Sequence, residues 1–435
     1  MRDIILCVIV FGSIPFILRR PYYGLLMWIW LSIMNPHRLA YGFAYSMPFA
    51  QVAAITFLVS MLLNVRKNHR FPMVGFTVSL LLFMVWMTVS PAVHSMADAN
   101  SRELDLWLRT FKVLMMVLAV FLVVSTRQEI QGLVWMLALS IGFYGIKGGL
   151  FVIATTGGYR VWGPTGSFVE DNNAIALALV MVVPLFRYLQ ISSENKKVKY
   201  FCIASMVLCL AAAIGSYSRG ALLAVAAMSV MLLIKSKKRW LLSVLAIIFV
   251  AAISAMMPDA WFDRMNTINT YASDGSAMGR INAWTMAWNL AVDRVVIGGG
   301  FDAWRPENFI RYAPVADDLH VAHSIYFQVL GEHGFVGLLI FLCIFGFAWR
   351  AGTKSLRYIR SQGGPESIWA SDLVSMCQVS LVAYAIGGAF LSLAFYDFPY
   401  YVAAILVLIR YRVGRPEALS LTNSFSLPTP KPGTT

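Results

Sequence analysis

The sequence predicts an all-α polytopic membrane protein with about 12 transmembrane helices and one large polar loop. Hydrophobic residues make up 59% of the 435 residues and charged residues only 13%, whereas a soluble domain carries about 25% charged residues. Apolar runs follow one another along the chain, and one long polar stretch, 257–323, interrupts them. Because lipid-facing surface carries charge only at high cost, this pattern favours a helical bundle in a membrane.

Most of the apolar runs are close to the roughly 20 residues that a helix needs to cross a bilayer. The first two are short and are separated only by Arg19, Arg20 and Pro21, so 4–34 forms either one interrupted unit or two crossings. The runs are 4–18, 22–34, 46–64, 72–90, 109–125, 130–154, 173–190, 200–216, 219–234, 240–256, 324–349, 369–395 and 398–411.

These runs divide the chain into four parts. Residues 1–256 hold ten predicted helices with short loops, and 257–323 form the large loop with the catalytic candidates. Residues 324–411 hold the last helices. Residues 412–435 are rich in Pro, Ser and Thr, which is typical of a disordered tail.

Charge predicts the orientation of the helices. Five cationic segments fall on one side if the runs alternate, and the positive-inside rule makes that side the cytoplasm. The net charge of +14 is therefore not a signal for nucleic-acid binding. The segments contain Arg66, Lys67 and Arg70; Lys196, Lys197 and Lys199; Lys235, Lys237, Lys238 and Arg239; Arg350, Lys354, Arg357 and Arg360; and Arg410, Arg412 and Arg415.

The outer loops carry arginine and no lysine. Guanidinium groups suit bidentate contact with phosphate. The alternative is that lysines simply follow the bias toward the cytoplasmic side and arginines fill the outer loops. These arginines are Arg38, Arg102, Arg160, Arg264, Arg280, Arg294, Arg305 and Arg311, with Arg219 at the mouth of a run.

The segment 215–220 places Arg219 between two apolar runs. Its serines and glycines allow a sharp turn, and the N–H groups at the start of the next helix would bind an anion. The alternative is an arginine that extends to lipid phosphates. Tyr217 in the same turn is a candidate supporting residue.

Further candidates lie in the polar stretch. Arg280 precedes a predicted amphipathic helix, 280–292, which a glycine run, 298–300, follows; these glycines allow close approach to a ligand or form a flexible loop. His323 lies where the polar stretch meets an apolar helix. It is a candidate general base near neutral pH, and the alternative is a capping or interfacial histidine. Arg305 is a further supporting candidate.

Other motifs are weaker. His320 and His323 would share one helical face, but this spacing alone is a weak metal signal. The outer loop 158–173 carries Arg160, which would complete an anion clamp. Lys147 lies inside the preceding run, where a buried ammonium needs a partner. The five cysteines form no paired motif, so small-hydrophobe packing is expected for them.

Together these residues predict one site that holds a lipid pyrophosphate beside a neutral base. The arginines would stabilise the departing diphosphate, and His323 would take a proton from an incoming hydroxyl. A glycan–pyrophosphate bond is already activated, so no ATP or other cofactor is expected, and arginines can neutralise the leaving group without a metal.

The chain resembles the O-antigen ligase and polymerase superfamily over roughly residues 150–345. The start of the chain, Met1 to Pro36, also resembles bacterial O-glycosylation ligases associated with exosortase systems. The motifs of the main resemblance are Ser218-Arg219-Gly220, Gly279-Arg280 with Trp284, Gly298 to Phe301, and Ala322-His323-Ser324 through Glu332 and Gly334.

The resemblance implies an enzyme of the bacterial inner membrane with a glycosyltransferase fold of the GT-C type. It would transfer a preassembled glycan from undecaprenyl pyrophosphate to lipid A–core on the periplasmic side, without a metal and with inversion. The family's histidine would be His323, and its arginines would be Arg219 and Arg280, with Arg160 matched less closely. Family members often have asparagine where this chain has Ser324.

Three alternatives remain open from the sequence. An O-antigen polymerase would use the same donor lipid and the same arginines. A protein O-oligosaccharyltransferase would differ only in its acceptor. A transporter of lipid-linked glycans would need charges spread through the depth of several helices, whereas the candidate cations here cluster at one face.

Overall fold

A computed structural model describes residues 1–64, 71–93, 101–236, 239–266, 275–301, 303–362 and 367–412. Over these ranges the chain forms sixteen α-helices and no strand, which confirms the all-α prediction. Residues 413–435 of the predicted tail, 412–435, lie outside the described residues, as do Arg66, Lys67, Arg70, Lys237 and Lys238 of the cationic loops.

The helices follow the apolar runs closely. The first ten are α1 (Arg2–Arg19), α2 (Pro21–Ile33), α3 (Phe49–Leu63), α4 (Gly75–Val93), α5 (Ser101–Val123), α6 (Arg127–Ala154), α7 (Asn172–Ser192), α8 (Lys196–Ile214), α9 (Arg219–Lys235) and α10 (Arg239–Ser254). The others are α11 (Asp259–Asn266), α12 (Gly275–Asp293), α13 (Pro306–Tyr312), α14 (Ile325–Gln362), α15 (Ile368–Gly387) and α16 (Asp397–Arg412).

Six of the described helices are long and apolar enough to cross a membrane: α5, α6, α7, α8, α14 and α15. The chain is thus a multi-pass membrane protein, while the predicted count of about 12 crossings is not established by this criterion. The region 4–34 forms two helices, because Arg20 is extended (φ −143°, ψ 111°) and Pro21 starts α2. Proline suits this first helical position, where its missing N–H is not needed.

Helix α7 lies at the centre of the bundle. It packs against α6, α8, α9 and α15, and nearly all of its residues are buried. A helix that is hydrophobic on every side has to be surrounded in this way. Helix α16 is buried to a similar degree and packs against α5, α14 and α15. These central helices hold the loops at their ends in fixed positions.

One ion pair ties the first helices to the rest of the bundle at the end opposite the large loop. Arg20 Nη2 lies 3.2 Å from Glu129 Oε1. Glu129 also forms a capping box with Thr126 at the start of α6. Such a box satisfies N–H groups that the first helical turn leaves without partners.

The glycine run 298–300 packs against protein backbone. Gly299 N donates to Gly331 O at 2.8 Å, and Gly300 N donates to Glu332 O at 2.9 Å. Gly334 interrupts α14 with φ 69° and ψ −172°, and Phe335 N donates to Val295 O. The close approach that these glycines allow is therefore to the kinked start of α14.

Candidate active site

A polar cleft opens where the start of α7 and the turn that leads into α9 meet α11, α12 and the segment after α15. Three guanidinium groups line it, from Arg219, Arg264 and Arg280, so the cleft is strongly cationic. The other lining residues are Asn173, Tyr217, Ser218, Gly220, Phe390 and Leu391.

Arg219 is the first residue of α9, as the turn predicts. The Ser218 side chain caps the helix by accepting a hydrogen bond from Ala221 N at 3.2 Å. Asn172 Nδ2 donates to Ser216 O at 2.7 Å and joins this turn to the start of α7. The positive end of the α9 dipole and the Arg219 charge therefore face the same cleft.

Tyr217 links this turn to the loop that follows α6, and its ring contacts Arg160. Its backbone is left-handed (φ 62°), and its hydroxyl donates to Gly157 O at 2.7 Å. The guanidinium carbon of Arg160 lies 5.4 Å from the centre of the Tyr217 ring. Arg160 is thus a neighbour of the cleft through Tyr217, while Tyr217 itself lines the cleft.

Arg280 lies in the second turn of α12. The predicted helix start at this residue was therefore wrong by five positions, because α12 begins at Gly275. Asn282 anchors the facing loop: its Nδ2 donates to Val315 O at 2.8 Å and to Asp318 O at 2.9 Å. The helix that carries Arg280 thereby fixes the polar segment that leads to His323.

Arg264 is a site residue that the sequence did not single out. It lies on α11, whose Trp261 is buried and donates its indole N–H to Ile214 O, at the end of α8, at 3.1 Å. Residues three apart share one helical face, so this anchor directs Arg264 to the cleft. The available signal was the three-residue spacing of Trp261 and Arg264, which places both side chains on one face of a short helix.

His323 does not line the cleft, but its imidazole interacts electrostatically with Arg280, which does. The residue is half-buried and has a left-handed backbone (φ 42°). Its backbone N–H donates to Ser392 Oγ at 2.8 Å. Trp284 Nε1 donates to Ala322 O at 2.6 Å, so α12 holds the residue before the imidazole. Non-glycine residues rarely adopt positive φ, and such positions cluster at functional sites.

Burial lowers the pKa of His323 below its ordinary value of 6.5. The positive charges of Arg280 and His320 lower it further, and Asp171 opposes them. A neutral imidazole at pH 7 can accept a proton. Asp171 also caps α7 by accepting hydrogen bonds from Asn173 N and Ala174 N, so its position is fixed.

The remaining candidates lie away from the cleft lining. Lys147 is exposed on α6, and Arg305 is the N-cap residue of α13. His320 and His323 do not share a helical face, because 313–324 is not helical. Instead, His320 Nε2 lies 2.8 Å from Asp318 Oδ1. The described part of the chain has no group of three metal-ligating side chains.

The fold and the cleft define a multi-pass helical membrane protein with an arginine-lined cleft at one end of its bundle. Residues 204–342 match the family model described as O-Antigen ligase, which confirms the resemblance to the O-antigen ligase and polymerase superfamily. This matched region contains Arg219, Arg264, Arg280 and His323. Residues 1–194 match a second model, described as a family of unknown function (DUF5935). No curated protein matches the chain.

Proposed function

We propose that this protein is an O-antigen ligase that transfers a preassembled glycan from undecaprenyl pyrophosphate to a sugar hydroxyl of lipid A–core. The observation that supports this most strongly is the cleft itself. Three guanidinium groups converge there beside an imidazole whose pKa is lowered. A dianionic leaving group and a hydroxyl nucleophile need these two kinds of side chain.

The arginines act on the donor. Arg219, Arg264 and Arg280 bind the diphosphate and stabilise the charge that develops as the bond between the anomeric carbon and the phosphate oxygen breaks. The N-terminus of α9 adds N–H groups on the same side. Arg160 supports this set through Tyr217. Undecaprenyl pyrophosphate leaves with the electron pair of the broken bond.

His323 acts on the acceptor. The neutral imidazole takes the proton of the acceptor hydroxyl, whose oxygen attacks the anomeric carbon from the face opposite the diphosphate and inverts its configuration. The hydrogen bonds from His323 N to Ser392 and from Trp284 to Ala322 O fix the peptide group from which the imidazole extends.

The proposal includes the place of the reaction. The cleft lies at the end of the bundle where α9 begins and α8 ends, and the cationic segments 196–199 and 350–360 lie at the other end. By the positive-inside rule, the cleft then faces the periplasm from the bacterial inner membrane. The helical architecture is compatible with a GT-C glycosyltransferase fold, which we include in the proposal.

Reconstituted protein tests the function directly. Purified protein in nanodiscs is given a glycan on undecaprenyl pyrophosphate with either lipid A–core, a protein acceptor or a second donor molecule. Labelled lipid A–core is the expected product, whereas a labelled protein or an elongated donor would identify an oligosaccharyltransferase or a polymerase. His323→Ala should abolish transfer while donor binding persists, and near-normal transfer by this variant would refute the assignment of the base.

A further inference from the structure

We propose that Arg38 and Arg109 form a second anion site, which binds a phosphate group of the acceptor lipid while its sugar hydroxyl reaches His323. This inference rests on the proposed transferase function. It assigns a role to two arginines that lie outside the cleft and outside the matched O-antigen ligase region.

Arg109 is a cation on a predominantly apolar helix. It lies eight residues after the start of α5, and its side chain is exposed. Its guanidinium carbon lies 3.8 Å from the centre of the Phe168 ring. A cation inside a transmembrane helix is costly and marks a functional site by default, and the ring face offsets only part of that cost.

Arg38 approaches the same outer loop. It lies in a 3₁₀ turn, Pro36–Leu39, after α2, and its guanidinium carbon is 4.8 Å from the centre of the Tyr45 ring. A Cβ atom at Gly166 would lie 3.2 Å from that carbon, and Gly166 has φ +73°. Only a glycine therefore allows this close approach without strain. Gly166 and Phe168 bring both guanidinium groups to one loop.

The carboxylate near these arginines is Asp397, the first residue of α16. It is fully buried, and Oδ2 accepts a hydrogen bond from Ser32 Oγ at 2.6 Å. Its charge interacts with Arg109, and Arg109 also interacts with Arg38. Among the described residues, Asp397 Oδ1 and the buried Tyr396 hydroxyl have no hydrogen-bond partner.

The charges of this cluster leave room for an anion. The two guanidinium groups interact with each other, the buried carboxylate of Asp397 interacts with Arg109, and within the described ranges neither guanidinium makes a salt bridge of 4 Å or less. The exposed Glu170 is turned to the loop backbone, where it accepts a hydrogen bond from Gly166 N at 2.8 Å. Unused N–H donors on a cation select an acceptor with several oxygens, such as phosphate.

The second site is connected to the first by two short segments. Ser392 accepts the hydrogen bond from His323 N, and Tyr396 lies 6.3 Å from Phe168 between ring centres. The five residue-to-residue steps from Ser392 to Asp397 span at most roughly 17 Å. Asp171, which acts on the pKa of His323, directly follows Glu170. One lipid-anchored acceptor can therefore contact both sites.

The test compares lipid A–core with and without its phosphate groups, using protein in nanodiscs. Direct binding of fluorescent forms of both lipids is measured without donor, and transfer rates are measured with donor. The variants are Arg38→Gln, Arg109→Gln and the double variant, with Arg109→Lys as conservative rescue. Arg311→Gln is the charge-matched control, because Arg311 is exposed and contacts Asp293 away from both sites. Thermal unfolding of each variant establishes that it is folded.

We expect wild-type protein to bind the phosphorylated lipid at least about tenfold more tightly than the dephosphorylated lipid, as for a charged hydrogen-bonded pair. The Arg38 and Arg109 variants should lose this difference and raise the KM for acceptor, with the KM for donor unchanged. Arg109→Lys should restore part of it. Millimolar inorganic phosphate should compete only weakly, because the lipid anchor supplies the rest of the affinity.

Three results would overturn the second site. One is a folded double variant that still distinguishes the two lipids. Another is a rise in donor KM alone, which would place these arginines on the pyrophosphate. The third is equal inhibition by inorganic phosphate in wild type and double variant. If wild-type protein binds the phosphorylated lipid selectively but transfers no glycan, the proposed function fails and the second site stands.

Discussion

The indole nitrogen of Trp284 donates a hydrogen bond to the carbonyl oxygen of Ala322 at 2.6 Å, directly before His323. The Trp284 ring also stacks on Phe327, with ring centres 5.1 Å apart and an interplanar angle of 8°. One side chain of α12 therefore fixes both the residue before the imidazole and the first turn of α14. Arg280 lies one turn earlier on the same helix, so a single element positions a guanidinium and the proposed base.

Replacing Trp284 by Phe should disturb the base without disturbing donor binding. The ring stack remains and one hydrogen bond is lost, which corresponds to a fall in kcat of up to about tenfold. The KM for donor should not change. Trp288→Phe on the same helix is the matched control, because Trp288 is half exposed and packs edge-on against Phe335. Equal kcat values for the two variants would show that Trp284 does not position His323.

Arg264 should contribute to donor binding as Arg219 and Arg280 do. Arg264→Gln removes one charged partner of the diphosphate, which corresponds to about 10- to 100-fold weaker donor affinity. The measurement is the donor Kd and KM in nanodiscs, compared with Arg294→Gln, a cation on the same side that does not line the cleft. Unchanged donor affinity in folded Arg264→Gln would remove this residue from the site.

The sequence predicted the helices well because transmembrane segments have a strong signal. Apolar runs of sufficient length have few alternative structures in a bilayer, and the breaks at Arg20 and Arg219 fall where proline or serine marks a helix start. Arg219, Arg280 and His323 were recognised because a charged or titratable residue at the edge of an apolar run is conspicuous.

Other contacts depended on tertiary packing and left no local pattern. Arg264 reaches the cleft because Trp261 contacts the end of α8, more than 40 residues earlier in the chain. The run 109–125 was assigned from its apolar character, so Arg109 was passed over, and only Phe168 and Asp397 reveal its surroundings. The glycine run 298–300 suggested a ligand, but its partner is the backbone of Gly331 and Glu332.

The lowered pKa of His323 predicts the pH dependence of transfer. The base works when it is neutral, so kcat/KM should fall as pH decreases through a value below 6.5 and should stay level above it. Asp171→Asn removes the charge that favours the protonated imidazole, so it should move this limb to lower pH. Arg280→Gln removes a charge that disfavours it and should move the limb to higher pH.

These opposite shifts distinguish the imidazole from other titrating groups. Asparagine can still cap α7 at position 171, so the helix start is retained in Asp171→Asn. His320→Gln serves as a second comparison, because His320 also lowers the pKa of His323 and its loss should move the limb to higher pH. An acid limb that is the same in all three variants and in wild type would mean that His323 does not determine it.

Gly279 should tolerate no side chain, because His320 occupies the space in front of it. A Cβ atom there would lie 2.3 Å from the His320 ring, so the ring has to move, which disturbs the contact of His320 with Asp318 in the segment that leads to His323. Gly279→Ala should therefore reduce kcat at least about tenfold, although alanine favours the helix by up to about 1 kcal/mol. Gly275→Ala is the matched control on the same helix, since a Cβ atom there meets nothing within 4 Å. Initial rates and the unfolding temperature are measured for both variants. If Gly279→Ala transfers glycan at the wild-type rate, the packing of His320 against α12 does not position the site.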